Sequence, residues 1–111
     1  MAWRIRDRAT FEALRRDGRR SRRGQVTVTF VAGVGPDVPR VAYAVGRRAG
    51  GAVERNRLRR RLRAAVDEVA GTLPPGAYLV AAGRGAVGLP FEDLKAHVTA
   101  AMTSASQDRR P

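Results

Sequence analysis

Residues 41–82 read VAYAVGRRAGGAVERNRLRRRLRAAVDEVAGTLPPGAYLVAA, and the order of patterns within them decides the fold. Residues 41–45 read as extended chain. Leu58, Leu62, Ala65, Val66 and Val69 then recur at intervals of four and three, the apolar stripe of an amphipathic helix over 52–70. Residues 77–82 form a short apolar run, with Pro74, Pro75 and Gly76 before it and Gly83 and Gly85 after it, which reads as a buried strand. The unit is therefore strand, helix, strand. Because the stripe must face the core, Asn56, Arg59, Arg60 and Arg63 fall on one flank of it and Arg57 and Arg61 on the other.

Outward from this unit, residues 7–17 carry an apolar stripe through Ala13 and Leu14 and end at Gly18, a helix with its stop. Residues 25–31 alternate, with Val26, Val28 and Phe30 on one face and Thr27, Thr29 and Val31 on the other, which is strand periodicity. Gly33 to Pro39 supplies loop residues, so 25–31 and 41–45 are expected to pair as a hairpin. A last helix begins near Pro90, with Glu92 and Asp93 at its positive end and Leu94, Val98 and Met102 on its buried face. Residues 104–111 are polar and read as a disordered tail. The order α-β-β-α-β-α gives one domain over 1–103, an α/β (α+β) two-layer sandwich in which helices cover one face of a small mixed sheet.

The chain has 111 residues, a 43% apolar fraction and a net charge of +12. A chain of this length buries roughly two-thirds of its unfolded surface, enough for a single core. Its excess charge is relieved by a polyanion, and nucleic acid is the first partner implied. Of 22 basic residues only Lys95 is lysine. Codon bias toward GC-rich genomes and bidentate phosphate recognition both account for that preference. The distribution is uneven: residues 4–23 hold nine arginines and residues 47–63 eight, whereas residues 64–108 carry a net charge of −3. Six arginines crowd into 55–63 with only Glu54 nearby, an arrangement that costs stability unless something anionic offsets it.

Other classes fall away. The absence of cysteine excludes disulfides and thiolate metal sites and fits a reducing compartment. No apolar run approaches the ~20 residues of a membrane span, and the charged N-terminus does not read as a secretory signal, so the expected location is cytoplasmic. His97 is the only histidine and reads as an ordinary helix residue, and no nucleophile–base pair is legible, so no catalytic residue is assigned. Asp67/Glu68 and Glu92/Asp93 are helix neighbours that diverge, and no metal site is assigned. Gly46 to Gly51 matches no nucleotide-binding fingerprint, but it leads into a helix whose amides at 51–54 lie beside Arg47 and Arg48, a docking point for an RNA backbone.

Residues 45–63, VGRRAGGAVERNRLRRRLR, resemble the signature of the bacterial ribonuclease P protein component: a basic strand end, a Gly-x-Ala-Val turn and an Arg-Asn-Arg helix. Phe11 followed seven residues later by Gly18, the 26–31 strand, the 78–84 strand and a closing helix introduced by Phe91 agree in order, so the resemblance covers 4–103. It implies a sandwich like the second domain of ribosomal protein S5, with a left-handed βαβ crossover. It also implies a holoenzyme in which a catalytic RNA, using Mg²⁺, removes the 5′ leader of precursor tRNA with the protein's assistance. Carried over by position, Arg47, Arg48, Arg55, Asn56, Arg57, Arg59, Arg60 and Arg63 contact the catalytic RNA, while Phe11, Arg15, Val26 and Thr29 line a cleft for the leader. Arg15, Val26 and Thr29 stand where aromatics are common in the family, so base stacking there is weaker or shared with arginine. Gly51 replaces a usual Asn and Tyr78 a usual Asp. A structural RNA-binding protein of ribosomal type is the alternative reading; a DNA-binding protein lacks helix-turn-helix spacing and a dimer surface, and neither membrane nor DNA is an expected partner.

Overall fold

The computed structural model describes residues 3–107. Five strands form one mixed sheet: β1 (Trp3–Arg4), β2 (Arg19–Arg23), β3 (Val26–Val31), β4 (Pro39–Ala44) and β5 (Gly76–Ala82), in the spatial order β1-β4-β5-β3-β2. Three helices accompany them: α1 (Arg8–Asp17), α2 (Ala52–Val69) and α3 (Phe91–Gln107). β5 runs parallel to β4, to which α2 connects it, and antiparallel to β3.

The central position of β5 overturns the expected hairpin between 25–31 and 41–45. Those strands do not pair with each other, because β5 lies hydrogen-bonded between them, with Val28 opposite Val80 on one side and Tyr43 opposite Val80 on the other. The physical reason lies in composition. β5 has no charged residue and is apolar on both faces, so an edge position would leave an apolar run in water. β3 instead pairs with β2, through a two-residue turn in which Gly24 takes a left-handed φ of 58°. A Cβ at Gly24 would also collide with the imidazole of His97 on α3, so the turn sits directly on that ring. His97 is thus a packing residue, its Nδ1 buried without a partner.

One face of the sheet, made by Val26, Val28, Phe30, Val41, Tyr78 and Val80, packs against Leu58, Leu62 and Val66 of α2 and Leu94, Val98 and Met102 of α3. The ring of Tyr78 meets Phe30 at 4.8 Å, and its hydroxyl donates to Pro74 O at 2.7 Å. Burial pushes that phenol up to about 12, so it stays a protonated donor. The stripe expected on α2 is the one buried. α1 departs from the expectation of a single covered face: its Leu14 joins Ile5 and Ala77 in a smaller cluster on the opposite side, against β3 and β5.

α3 continues through Gln107 with Ala105 and Ser106 buried and the Ser106 hydroxyl donating to Met102 O at 2.8 Å, so residues 104–107 belong to the helix rather than to a tail. Residues 108–111 lie outside the described residues. Two strands escaped the sequence reading: β1, which has only two residues, and β2, whose arginines are exposed on both faces.

Leu62 is fully buried where α2 meets the sheet. Leu62→Ala should lower the stability of the free protein by about 2–5 kcal/mol, read from urea unfolding midpoints.

Candidate nucleic-acid interface

α2 begins at Gly51, whose N–H donates to Glu54 Oε1 at 2.8 Å. Glu54 thus occupies one of the amides expected to await a phosphate, while those of residues 52–54 remain at the helix start. Gly51, lacking a side chain, provides no capping oxygen for them. Arg47 and Arg48 lie in the short 3₁₀ turn Arg47–Ala49 just ahead, exposed.

The guanidinium groups of α2 divide into three sets. Arg55 Nε donates to Gly51 O at 3.4 Å, and Arg59 donates to Asn56 Oδ1 at 3.0 Å and to Val45 O at 3.4 Å. Arg63 stacks over the ring of Tyr43 at 5.7 Å, and burial with the nearby Asp67 charge pushes the Tyr43 phenol up to about 12. These contacts orient their side chains along the flank beside β4. Arg61, on the other flank, donates to Val87 O at 3.2 Å and also to Leu89 O, so it serves the fold by satisfying two loop carbonyls. Arg47, Arg48, Arg57 and Arg60 are exposed, and among the described residues nothing engages their guanidinium groups.

On the other side of the sheet a cleft of about 780 Å³ opens between α1 and β3, bordered by Phe11, Arg15 and Thr29 together with Arg8, Arg20 and Leu79. Phe11 is 40% exposed, unusual for so large an apolar ring. Of the expected cleft residues, Phe11, Arg15 and Thr29 come together. Val26 does not: it is fully buried on the opposite face of the sheet, beneath the two long helices. Strand alternation decides this, since Thr27, Thr29 and Val31 turn to the cleft side when Val26, Val28 and Phe30 turn to the core. Arg20, which faces Thr29 across the β2–β3 ladder, takes the place expected of Val26, and the missed β2 strand is why sequence reasoning overlooked it.

α1 is fixed at both ends. Gly18 ends it with an ordinary φ of −67°, and its N–H donates to Leu14 O at 3.0 Å. Glycine is needed there for closeness, because a Cβ would strike Leu14 O and the Thr29 methyl. At the other end Asp7 caps the helix, accepting from Thr10 N at 2.9 Å and Thr10 Oγ1 at 2.6 Å. Arg40 of β4, only 8% exposed, donates to Asp7 Oδ1 and Thr10 Oγ1, both at 2.9 Å, and to Val34 O at 3.3 Å. The Thr10 and Arg40 hydrogen bonds hold the Asp7 carboxyl well below the usual carboxylate range.

The described residues define a class: a small α/β protein with an arginine-bearing helix and a basic, aromatic-edged cleft on opposite sides of one sheet. Comparison with known proteins gives the particular family. A family model, Ribonuclease P, matches residues 1–106. The ribonuclease P protein component of Thermobifida fusca (strain YX) is 36% identical over 114 residues, covering 96% of this chain and 78% of that one. The component from Nocardioides sp. (strain ATCC BAA-499 / JS614) is 42% identical over 81 residues, covering 71% and 69%. Among solved structures, the RNase P protein of Staphylococcus aureus has a TM-score of 0.82 at 21% identity, covering 95% of this chain and 96% of that one. That of Thermotoga maritima has a TM-score of 0.80 at 23% identity, covering 91% and 96%. Both share the fold. The chain belongs to the ribonuclease P protein family, the protein components of an endoribonuclease of tRNA 5′ maturation, and membership implies an RNA partner.

A depressed carboxyl stabilises the fold above its unfolded value, about 3.8, and that contribution is lost as pH falls from there toward the folded value. Asp7→Asn should therefore lower the urea midpoint at neutral pH and flatten its decline below pH ~4, so that wild type and variant draw together in acid.

Proposed function

We propose that this chain is the subunit of ribonuclease P that binds the catalytic RNA through the exposed arginines of α2 and the preceding turn, and the single-stranded 5′ leader of precursor tRNA in the α1 cleft. The observation that carries the reading is the placement of two basic surfaces on opposite sides of one sheet, which lets a small domain touch two RNA segments at once. On α2, Arg47, Arg48, Arg57 and Arg60 offer guanidinium groups that nothing among the described residues engages, and Arg55, Asn56, Arg59 and Arg63 are held in place beside them. In the cleft, Phe11 presents a ring for a base, while Arg15 and Arg20 face the phosphates and Arg8 stands at the edge in an ion pair with Glu12 at 3.5 Å.

The protein's role in this reading is affinity and positioning. In it the Mg²⁺ of the reaction is held mainly by the RNA subunit, and no proton or metal step is assigned to a side chain. The site of action in this reading is the cytoplasm.

Arg57→Ala and Arg60→Ala break no contact among the described residues, so each should leave stability within about 0.5 kcal/mol. Each should weaken association with a bacterial ribonuclease P RNA and lower the slope of log affinity against log salt by about one. Phe11→Ala should instead weaken binding of leader-bearing precursor tRNA to the assembled holoenzyme and leave RNA association unchanged. Equal effects of both kinds of substitution on both measurements would refute the division between helix and cleft.

A further inference from the structure

Trp3, the only tryptophan in the chain, is 63% exposed, although an indole of this size ordinarily seeks burial. It lies on β1 at the edge of the sheet, opposite Arg40 of β4 in a two-residue parallel pairing. A shallow groove of about 440 Å³ runs past it, walled by Pro36 and Val38 from the β3–β4 connection and rimmed by Arg4 and Arg6. Asp7 also borders this groove, but its carboxylate is committed to Arg40 and Thr10, so the accessible charge is positive. The groove is apolar on its floor and cationic at its rim, the pairing of chemistries that takes a base by its face and a phosphate by its charge.

The groove is also connected to the α1 cleft. Ile5 is buried and Asp7 is tied into the Arg40 network, so between Trp3 and the start of α1 the alternate residues Arg4, Arg6 and Arg8 are left exposed. Arg6 lines the Trp3 groove and Arg8 the cleft, while Arg4, opposite Val41, borders both the Trp3 groove and a second one beside Arg59 and Arg63 of α2. Four residues of extended chain cover at most about 14 Å, so the two places lie within reach of one short single strand.

We infer that Trp3 is a second base-stacking platform for the precursor tRNA leader, reached along Arg8 and Arg6 from the cleft that holds Phe11. The inference rests on the leader reading proposed above and extends it to a site outside the cleft. Among the described residues Phe11 is the one aromatic ring lining the cleft, so Trp3 adds a second aromatic surface at the sheet edge.

Because Trp3 is the sole indole, its fluorescence reports on the site directly. Trp3 also borders a second groove with Arg59 and Arg63 of α2, so the reference state is the assembled holoenzyme: with a bacterial ribonuclease P RNA bound and cleavage blocked, the emission should be unchanged by mature tRNA. It should be quenched by precursor tRNA carrying an unpaired leader. Trp3→Ala should weaken precursor binding roughly 5- to 100-fold while leaving mature tRNA binding and RNA assembly unaltered, and Trp3→Phe should retain most of the affinity. Quenching of the holoenzyme by mature tRNA would overturn the assignment to the leader, as would a Trp3→Ala variant that binds precursor like wild type. Phe11→Ala separates the two proposals. If it weakens precursor binding and Trp3→Ala does not, only the second platform is refuted; if it too is silent, the leader reading itself fails.

Discussion

A helix with six arginines in nine residues can be placed in a fold in only one way. Burying an unpaired guanidinium costs far more than burying an alkyl side chain returns, so the arc containing Leu58, Leu62, Ala65 and Val66 must face inward and everything else outward. That constraint orients α2 and sets the flank from which Arg59 and Arg63 reach β4. The sheet beneath must then present a continuous apolar face, which β3, β4 and β5 do through alternate residues. The other face of the sheet is left to α1, which covers only part of it, and the uncovered part is the cleft.

Within that arrangement, arginine plays three physically distinct roles. Arg40 is buried and multiply bonded, tying the start of α1 to β4 and to the loop before it. Arg61 satisfies carbonyls in the segment leading to α3. The remainder of the exposed set holds charge at the surface. Removal of Arg40 or Arg61 strands buried polar groups, whereas removal of Arg57 or Arg60 removes only surface charge. A single residue type thus carries both the architecture and the surface charge, and only the bonding pattern tells them apart.

The three helices, the β3 and β5 strands and the buried stripe were legible in the sequence because each carries a hydrophobic period. β2 was not, because its alternation is arginine against arginine, with Ser21 the only break, so neither face declares itself. The pairing of β3 and β4 was misread because proximity in the chain suggested a hairpin, while the feature that decides against it, an apolar β5 needing neighbours on both sides, lies more than thirty residues downstream. Missing β2 then hid Arg20, and a family position at Val26 pointed to the wrong face. Gly18 was recognised as a helix end, but its actual requirement, close approach to Thr29, exists only once α1 lies across the sheet. The Asp7–Thr10–Arg40 network was invisible for the same reason: two of its members are neighbours in sequence and the third is thirty residues away.

The two edges of the sheet are closed by different means. β1 offers only two residues, too few to template another strand, and β2 carries Arg19, Arg20, Arg22 and Arg23, all exposed. A second copy of the chain approaching β2 edge to edge would bring like charges into register along the whole strand. The unpaired main-chain groups of this edge are therefore guarded by charge, and the strand that could most easily invite self-association repels it. The same arginines that hid β2 from a reading of the sequence keep the sheet from growing, so that a polymer of negative charge is welcome at this edge and another copy of the protein is not.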